Sequence, residues 1–298
     1  MTESIRIHGD NILECENALK LIAEAISPGN HHVDLIGGTP YSPIYRAISD
    51  SGRTFEAQLF PGYGRWGFDF INYLIARGAP LREATDAIIT KLKKINGQLI
   101  EDPILAMEFC GALPAGNNAW QRCGRALSSA FARIPYIYYA ELGGLELDSE
   151  RNEKASRFPN PLIPFAYISL GQVEETPAVP VFIPSPSARD ATHSEFKECF
   201  GESESKTLIR NIILGEDYSS SLKTLQSKAE KVVEVLASRR KRNDSLSPDG
   251  FDKLIKLASG KEKADWLLKQ EMPWKKKTGI KDLTNSFNRL MEVSSKVA

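Results

Sequence analysis

Cysteine is scarce in this chain, and the four present, Cys15, Cys110, Cys123 and Cys199, fall in no Cys-x-x-Cys spacing. That excludes a zinc knuckle and a dense disulfide framework, and the free thiols of a cytoplasmic protein are expected instead. Long apolar runs are missing too: none approaches the roughly 20 residues of a membrane span. The N-terminal Met1-Thr2-Glu3-Ser4 lacks the basic and apolar regions of a secretory signal. Three glycines among aromatics at residues 62–67 do not make a phosphate-binding loop, because the Lys-Ser/Thr that such a loop requires is absent. No serine or cysteine sits in a nucleophile elbow or has a partnered histidine, so nucleophilic catalysis has no candidate.

What is present is an ordinary globular composition of 298 residues, 42% hydrophobic and 26% charged. That length fits one large domain, or a core with a smaller domain attached. A net charge of zero conceals an asymmetry. Residues 221–298 carry 18 Lys plus Arg against 10 Asp plus Glu, a net +8, which leaves 20 against 28, a net −8, in residues 1–220. An acidic first part with a basic tail fits a polyanion-binding surface beside a carboxylate-lined site, or two domains that attract each other.

The most informative stretch is Ile104 to Leu113, followed at once by Pro114-Ala115-Gly116-Asn117-Asn118. Bounded by Pro103 and Pro114, it reads as a strand buried on both faces. One charge interrupts it, Glu108. Burying a carboxylate is costly unless a cation meets it, either a metal ion or an arginine such as Arg122 or Arg125.

Around that strand, Ile5-Arg6-Ile7 reads as a short lead-in and Asp10 as the N-cap of a helix over 10–26. Counting 100° per residue from Ile12 puts Glu14 opposite the apolar stripe and Glu16 inside the buried arc, where a shared site or a salt bridge must hold it. Val33–Ile36, Ile44–Ile48 and Thr54–Phe60 read as strands, and His31-His32 as loop histidines. The glycine-rich turn after Phe60 delivers one acid, Asp69, between two phenylalanines. Pro80 to Gly97 reads as a second helix with its stripe at Leu81, Ala84, Ile88, Leu92 and Ile95. A small-residue-rich helix over 119–133 and a strand over 134–142 complete a βαβ unit with strand 104–113, hence a parallel pair.

Seven prolines between Pro159 and Pro186 disfavour helices there, leaving edge strands at 165–170 and 179–183. Residues 185–205 read as a linker, and the basic remainder as helices. Two domains are expected, 1–190 and 191–298. Arg239, Arg240, Lys275, Lys276 and Lys277 are the candidate phosphate contacts, if those runs are more than a solvated basic face.

Helix, strands with Asp69 and Glu108, helix with Gln121 and a further strand resemble the PD-(D/E)XK nuclease superfamily. More narrowly, Ile7-His8-Gly9-Asp10-Asn11-Ile12-Leu13-Glu14 and Glu108-Phe109-Cys110-Gly111-Ala112-Leu113-Pro114-Ala115-Gly116-Asn117 resemble segments of type II restriction endonucleases. The resemblance covers roughly residues 5–142. It implies an α/β fold with an αβββαβ core and mixed sheet, and a C-terminal helical region that suits DNA contact or dimerisation. It further implies a site-specific, Mg²⁺-dependent endonuclease of double-stranded DNA, acting as a homodimer alongside a cognate DNA methyltransferase. Asp69 and Glu108 would hold the metal, with Glu16 an accessory acid; Asp102, followed by Pro103, is the rival to Asp69. The family's lysine two residues after the glutamate is Cys110 here. Either Gln121, Arg122 or Lys94 takes that role, or the chain is a non-catalytic DNA- or protein-binding module on the same core.

Overall fold

The computed structural model describes residues 2–29, 32–48, 52–79, 82–110, 117–145, 149–152, 167 and 176–241. Among these the chain forms one mixed sheet of eight strands and six helices. The strands are β1 (Thr2–Gly9), β2 (Val33–Thr39), β3 (Ser42–Ile48), β4 (Thr54–Pro61), β5 (Ala87–Ile95), β6 (Gln98–Cys110), β7 (Tyr136–Leu142) and β8 (Ala178–Pro184). The helices are α1 (Ile12–Ile26), α2 (Phe70–Ala76), α3 (Asn117–Phe131), α4 (Asp190–Phe196), α5 (Glu202–Leu214) and α6 (Ser219–Lys241). Across the sheet the strands run β2-β3-β4-β1-β5-β6-β7-β8.

The expected βαβ unit is there: β6 pairs with β7 in parallel, Glu108 opposite Tyr138, and α3 makes the crossover. Strict alternation divides these strands between two cores, as a period of two requires. Ala106, Cys110, Tyr136, Tyr138 and Ala140 pack with α2 and α3, whereas Met107, Ile137 and Tyr139 pack with α1 and α5. The sheet is thus the middle layer of three.

Several expectations are corrected. The cap of α1 is Asn11, not Asp10, its Oδ1 accepting from the Glu14 backbone at 3.2 Å. Residues 5–7 are no lead-in: β1 lies inside the sheet, parallel to β4 and antiparallel to β5, with Ile5 and Ile7 buried. The helix expected over Pro80–Gly97 is absent from its described part, residues 82–97. Ala87–Ile95 is a strand because Asn96-Gly97, both at positive φ (50° and 84°), make a two-residue hairpin turn that pairs Ile95 with Gln98. Pro103 does not end the strand either; β6 runs through it at the irregularity where the β5–β6 register shifts.

Residues 185–205 contain α4, a 3₁₀ turn and the start of α5, with Thr192, Phe196 and Cys199 buried, so they pack rather than link. Helix α5 contributes Leu208, Ile209 and Ile213 to the α1 side of the core. Helix α6 reaches both sides of the sheet, Leu225 in one cluster and Ala229 and Val232 in the other, which covers the β8 edge. Of the expected strand 165–170 only Tyr167 is described, and it is helical. Lys275, Lys276, Lys277 and the helices beyond residue 241 lie outside the described residues; Arg239 and Arg240 lie on α6. Among the described residues no helix is long and apolar enough to cross a membrane.

Candidate active site

Strands β1, β4, β6, β7 and β8 all point the same way, and β5 runs against them. Their C-terminal ends therefore meet the start of β5 and the first turn of α1. In open α/β sheets this is the end where ligands bind. Pairing of Ala87 with Met107 carries Asp86 to the level of Glu108. The backbone N–H of Asp10, just past β1, donates to the Asp86 carbonyl at 3.1 Å and ties α1 to the same point.

Glu108 is fully buried. Its Oε1 accepts from Arg122 Nε at 2.7 Å and Arg125 Nη1 at 2.6 Å. Arg125 Nη1 also donates to Asp86 Oδ1 at 3.1 Å, and Asp86 Oδ2 accepts from the Phe109 backbone at 2.8 Å. The arginine partners foreseen for Glu108 are thus both in place, yet they do not balance the acids. Burial first, and the charge of Asp86 second, push Glu108 up to about 8 against the pull of Arg125 and Arg122. Glu14, on the first turn of α1, is likewise pushed up to about 7, by burial and then by Asp86 and Asp10. Among the described residues its buried Oε2 has no hydrogen-bond partner. The half-buried Tyr63 lies in the same region, its phenol donating to the His8 carbonyl at 3.3 Å, and burial raises it well above the usual tyrosine range. Three carboxylates, two guanidiniums and a phenol thus form one polar cluster at this end of the sheet.

Two expected acids are elsewhere. Asp69 is exposed and caps α2, its Oδ1 accepting from the Asn72 backbone at 3.0 Å and its Oδ2 from the Asn72 side chain at 2.6 Å. A capping carboxylate is already satisfied by the helix end it serves. Glu16 is exposed. The buried arc of α1 centres on Cys15, Ile22 and Ile26 rather than on Ile12, so Glu14 and Glu16 flank it at about 100° to either side. Only the tertiary neighbour, Asp86, separates them. The rival Asp102 pairs with Lys93 at 2.5 Å, and Lys94 is exposed near the β5–β6 turn. Gln121 lies on α3 but its side chain is outside the described set. Cys110, buried, belongs to the apolar cluster under α3.

The sequence could have placed Asp86 within one residue of Glu108. An Asn-Gly turn at 96–97 makes 87–95 and 98–107 a hairpin; counting back from it sets Asp86 against Met107, and the one-residue register shift between Ile89 and Thr90 moves it to Glu108. As ligands for a cation, Asp86, Glu108 and Glu14 offer hard oxygens of the kind Mg²⁺ takes. Among the described residues no three His, Cys, Asp or Glu side chains converge closely enough to enclose a metal, since Arg125 stands between Asp86 and Glu108. Comparison with protein-family models, with curated proteins and with solved structures finds no match to this chain.

Proposed function

We propose that the chain is a Mg²⁺-dependent, sequence-specific endonuclease of double-stranded DNA, of the restriction-endonuclease type. The observation that carries the reading is the gathering of acids at one end of the strands: Glu14, Asp86 and Glu108, two of them raised toward neutrality by burial first and by the charge of Asp86 second. An added cation satisfies those acids, and the unpartnered Glu14 Oε2 fits a ligand or a water-orienting role beside it. Asp86 takes the place first given to Asp69, and Glu14 that of Glu16. Bound there, Mg²⁺ would neutralise charge on the phosphate and lower the pKa of a coordinated water. The chain's own part is electrostatic. Arg122 and Arg125 project from α3 onto Glu108 and supply the fixed positive charge for which the family uses a lysine.

In support, β1, β5, β6 and β7 are neighbours in the mixed sheet and α3 connects β6 to β7, although α1 follows β1 in the chain where the αβββαβ order would have it first. The same reading includes a homodimer, a methyltransferase of matching specificity, and phosphate contacts from the basic tail. Deleting residues beyond Lys241 keeps the core helices and should flatten the salt dependence of DNA binding. A second reading, a non-catalytic DNA- or protein-binding module, is favoured by the double arginine contact at Glu108 Oε1, which leaves the acid occupied. Incubation with plasmid DNA decides between them: cleavage with Mg²⁺ and none with EDTA supports the endonuclease, and no cleavage of diverse DNA under either condition supports the module.

A further inference from the structure

Next to the carboxylates, and sharing Asp10 with them, lies a cleft of about 650 Å³ that Tyr41, Arg65, Trp66 and the first turn of α1 line among the described residues. One wall is held by side-chain contacts and the other stands on a tight turn. The Trp66 indole donates to the Pro61 carbonyl at 2.7 Å and meets the Phe60 ring edge-on at 5.4 Å. Tyr41, 77% exposed, stands on the two-residue turn between β2 and β3, where Thr39 Oγ1 accepts from the Ser42 backbone at 3.1 Å. That turn needs Gly38: at φ 88°, a Cβ there would come within 2.3 Å of the Ser42 carbonyl oxygen. Arg65 lies over Gly62, where a Cβ would sit 3.1 Å from its Cδ and Nε. Among the described residues Arg65 pairs with no carboxylate, unlike Arg6, Arg46, Arg122 and Arg125.

Two aromatic rings, an uncommitted guanidinium, and the amide and carboxylate of Asn11 and Asp10 form the set that recognises a nucleotide: stacking for the base, charge for the phosphate, polar groups for the base edge. The volume is that of a small-molecule pocket, too small for a duplex. We propose that this cleft takes one unstacked nucleotide of the DNA strand, its base against Tyr41 and Trp66 and its phosphate at Arg65. The inference rests on the endonuclease reading and names how that site holds its substrate.

The test is binding of a fluorescein-labelled duplex pool of mixed sequence to the full chain, with Ca²⁺ replacing Mg²⁺, followed by anisotropy and by tryptophan emission. Tyr41→Ala and Arg65→Ala, both at exposed positions, should each weaken binding about tenfold. Trp66→Phe should remove the tryptophan quenching that accompanies binding. Wild-type binding with unchanged affinity in Tyr41→Ala and Arg65→Ala overturns the nucleotide cleft and leaves the endonuclease reading standing. A wild-type chain that neither binds nor cuts DNA overturns both. Quenching by free mononucleotides but not by the duplex also overturns the proposal, because the cleft then serves a free ligand.

Discussion

Strand β6 carries two buried or nearly buried glutamates seven residues apart, and the sheet treats them in opposite ways. Glu101 accepts from Arg6, from His8 Nε2 at 2.7 Å and from Thr90 Oγ1 at 2.7 Å. Burial alone would raise it, but those donors outweigh burial and hold it at about 2. Glu108 is closer to its guanidiniums than most paired acids, yet it is raised to about 8 because burial and Asp86 act together on it. Glu101 has only donors around it; Glu108 has two guanidiniums but shares one of them with a second acid, Asp86. A fully satisfied carboxylate is structure, and an over-supplied cluster of carboxylates is a place where a cation or a proton is still wanted.

Substituting each glutamate breaks the comparison most sharply. Glu108→Ala should lower Mg²⁺-dependent DNA cleavage roughly a thousandfold, about 4 kcal/mol of lost charge stabilisation, while leaving DNA binding equal or tighter. Asp86→Ala should do the same. Glu101→Gln should leave the cleavage rate per folded molecule unchanged and lower stability instead. A Glu108→Ala protein that still cuts with Mg²⁺ would remove the site.

Removing an arginine from each cluster gives the next largest difference. Arg125→Ala deletes a donor shared by two acids and should cost about 3 kcal/mol in chemical denaturation near pH 8. That cost should shrink on acidification, because Glu108 can then take up a proton. Arg6→Ala leaves Glu101 with His8 and Thr90 and should cost only about 1 kcal/mol. Equal losses would mean that both clusters are structural.

The two acids also define opposite pH windows. Glu108 and Glu14 have folded values of about 8 and 7, above the ordinary 4.5. The folded state therefore keeps protons that the unfolded chain has released. Stability tied to them is full below about 4.5 and is lost as pH rises toward 8. Glu101, held at about 2, contributes stability above about 4.5 that is lost as pH falls toward 2. Thermal unfolding without divalent ions should therefore decline on both limbs. Glu108→Gln should flatten the alkaline limb and Glu101→Gln the acid one. Added Mg²⁺ should raise the midpoint by a few degrees at alkaline pH and by less at pH about 5, where the ligands are protonated. A Mg²⁺ effect independent of pH would argue against these acids as ligands.

Part of this was legible beforehand. The buried strand around Glu108, its parallel partner and its two arginines follow from an apolar run, a small-residue helix and elementary charge balance. Asp86 was hidden because Ile88, Leu92 and Ile95 also satisfy a helical period; the hairpin turn at Asn96-Gly97 is the signal that outweighs them. Glu14 was hidden for another reason. A wheel counted from Ile12 favours Glu16, whereas the buried arc of α1 centres on Cys15, Ile22 and Ile26 and leaves the two acids on either flank, so that packing against the start of β5 chooses Glu14. Asp69 misled because an acid between phenylalanines looks buried, whereas a helix N-cap projects to solvent.

Cys110 is where the smallest effect is expected. It follows Glu108 by two residues on β6, so both face α3, and it is buried in a cluster with Phe70, Ala126, Tyr138 and Ala140. A lysine at that position would have to bury its ammonium in this cluster, at a high desolvation cost. Burial of this kind gives the thiol packing value and no chemistry. Cys110→Ala should therefore cost about 1 kcal/mol of stability, the price of a small cavity, and keep the cleavage rate within about threefold. Arg122→Ala, by contrast, should slow cleavage by about a hundredfold if that guanidinium replaces the missing lysine. A large rate loss in Cys110→Ala with normal folding, beside a mild one in Arg122→Ala, would return the chemistry to β6 and leave α3 as scaffold.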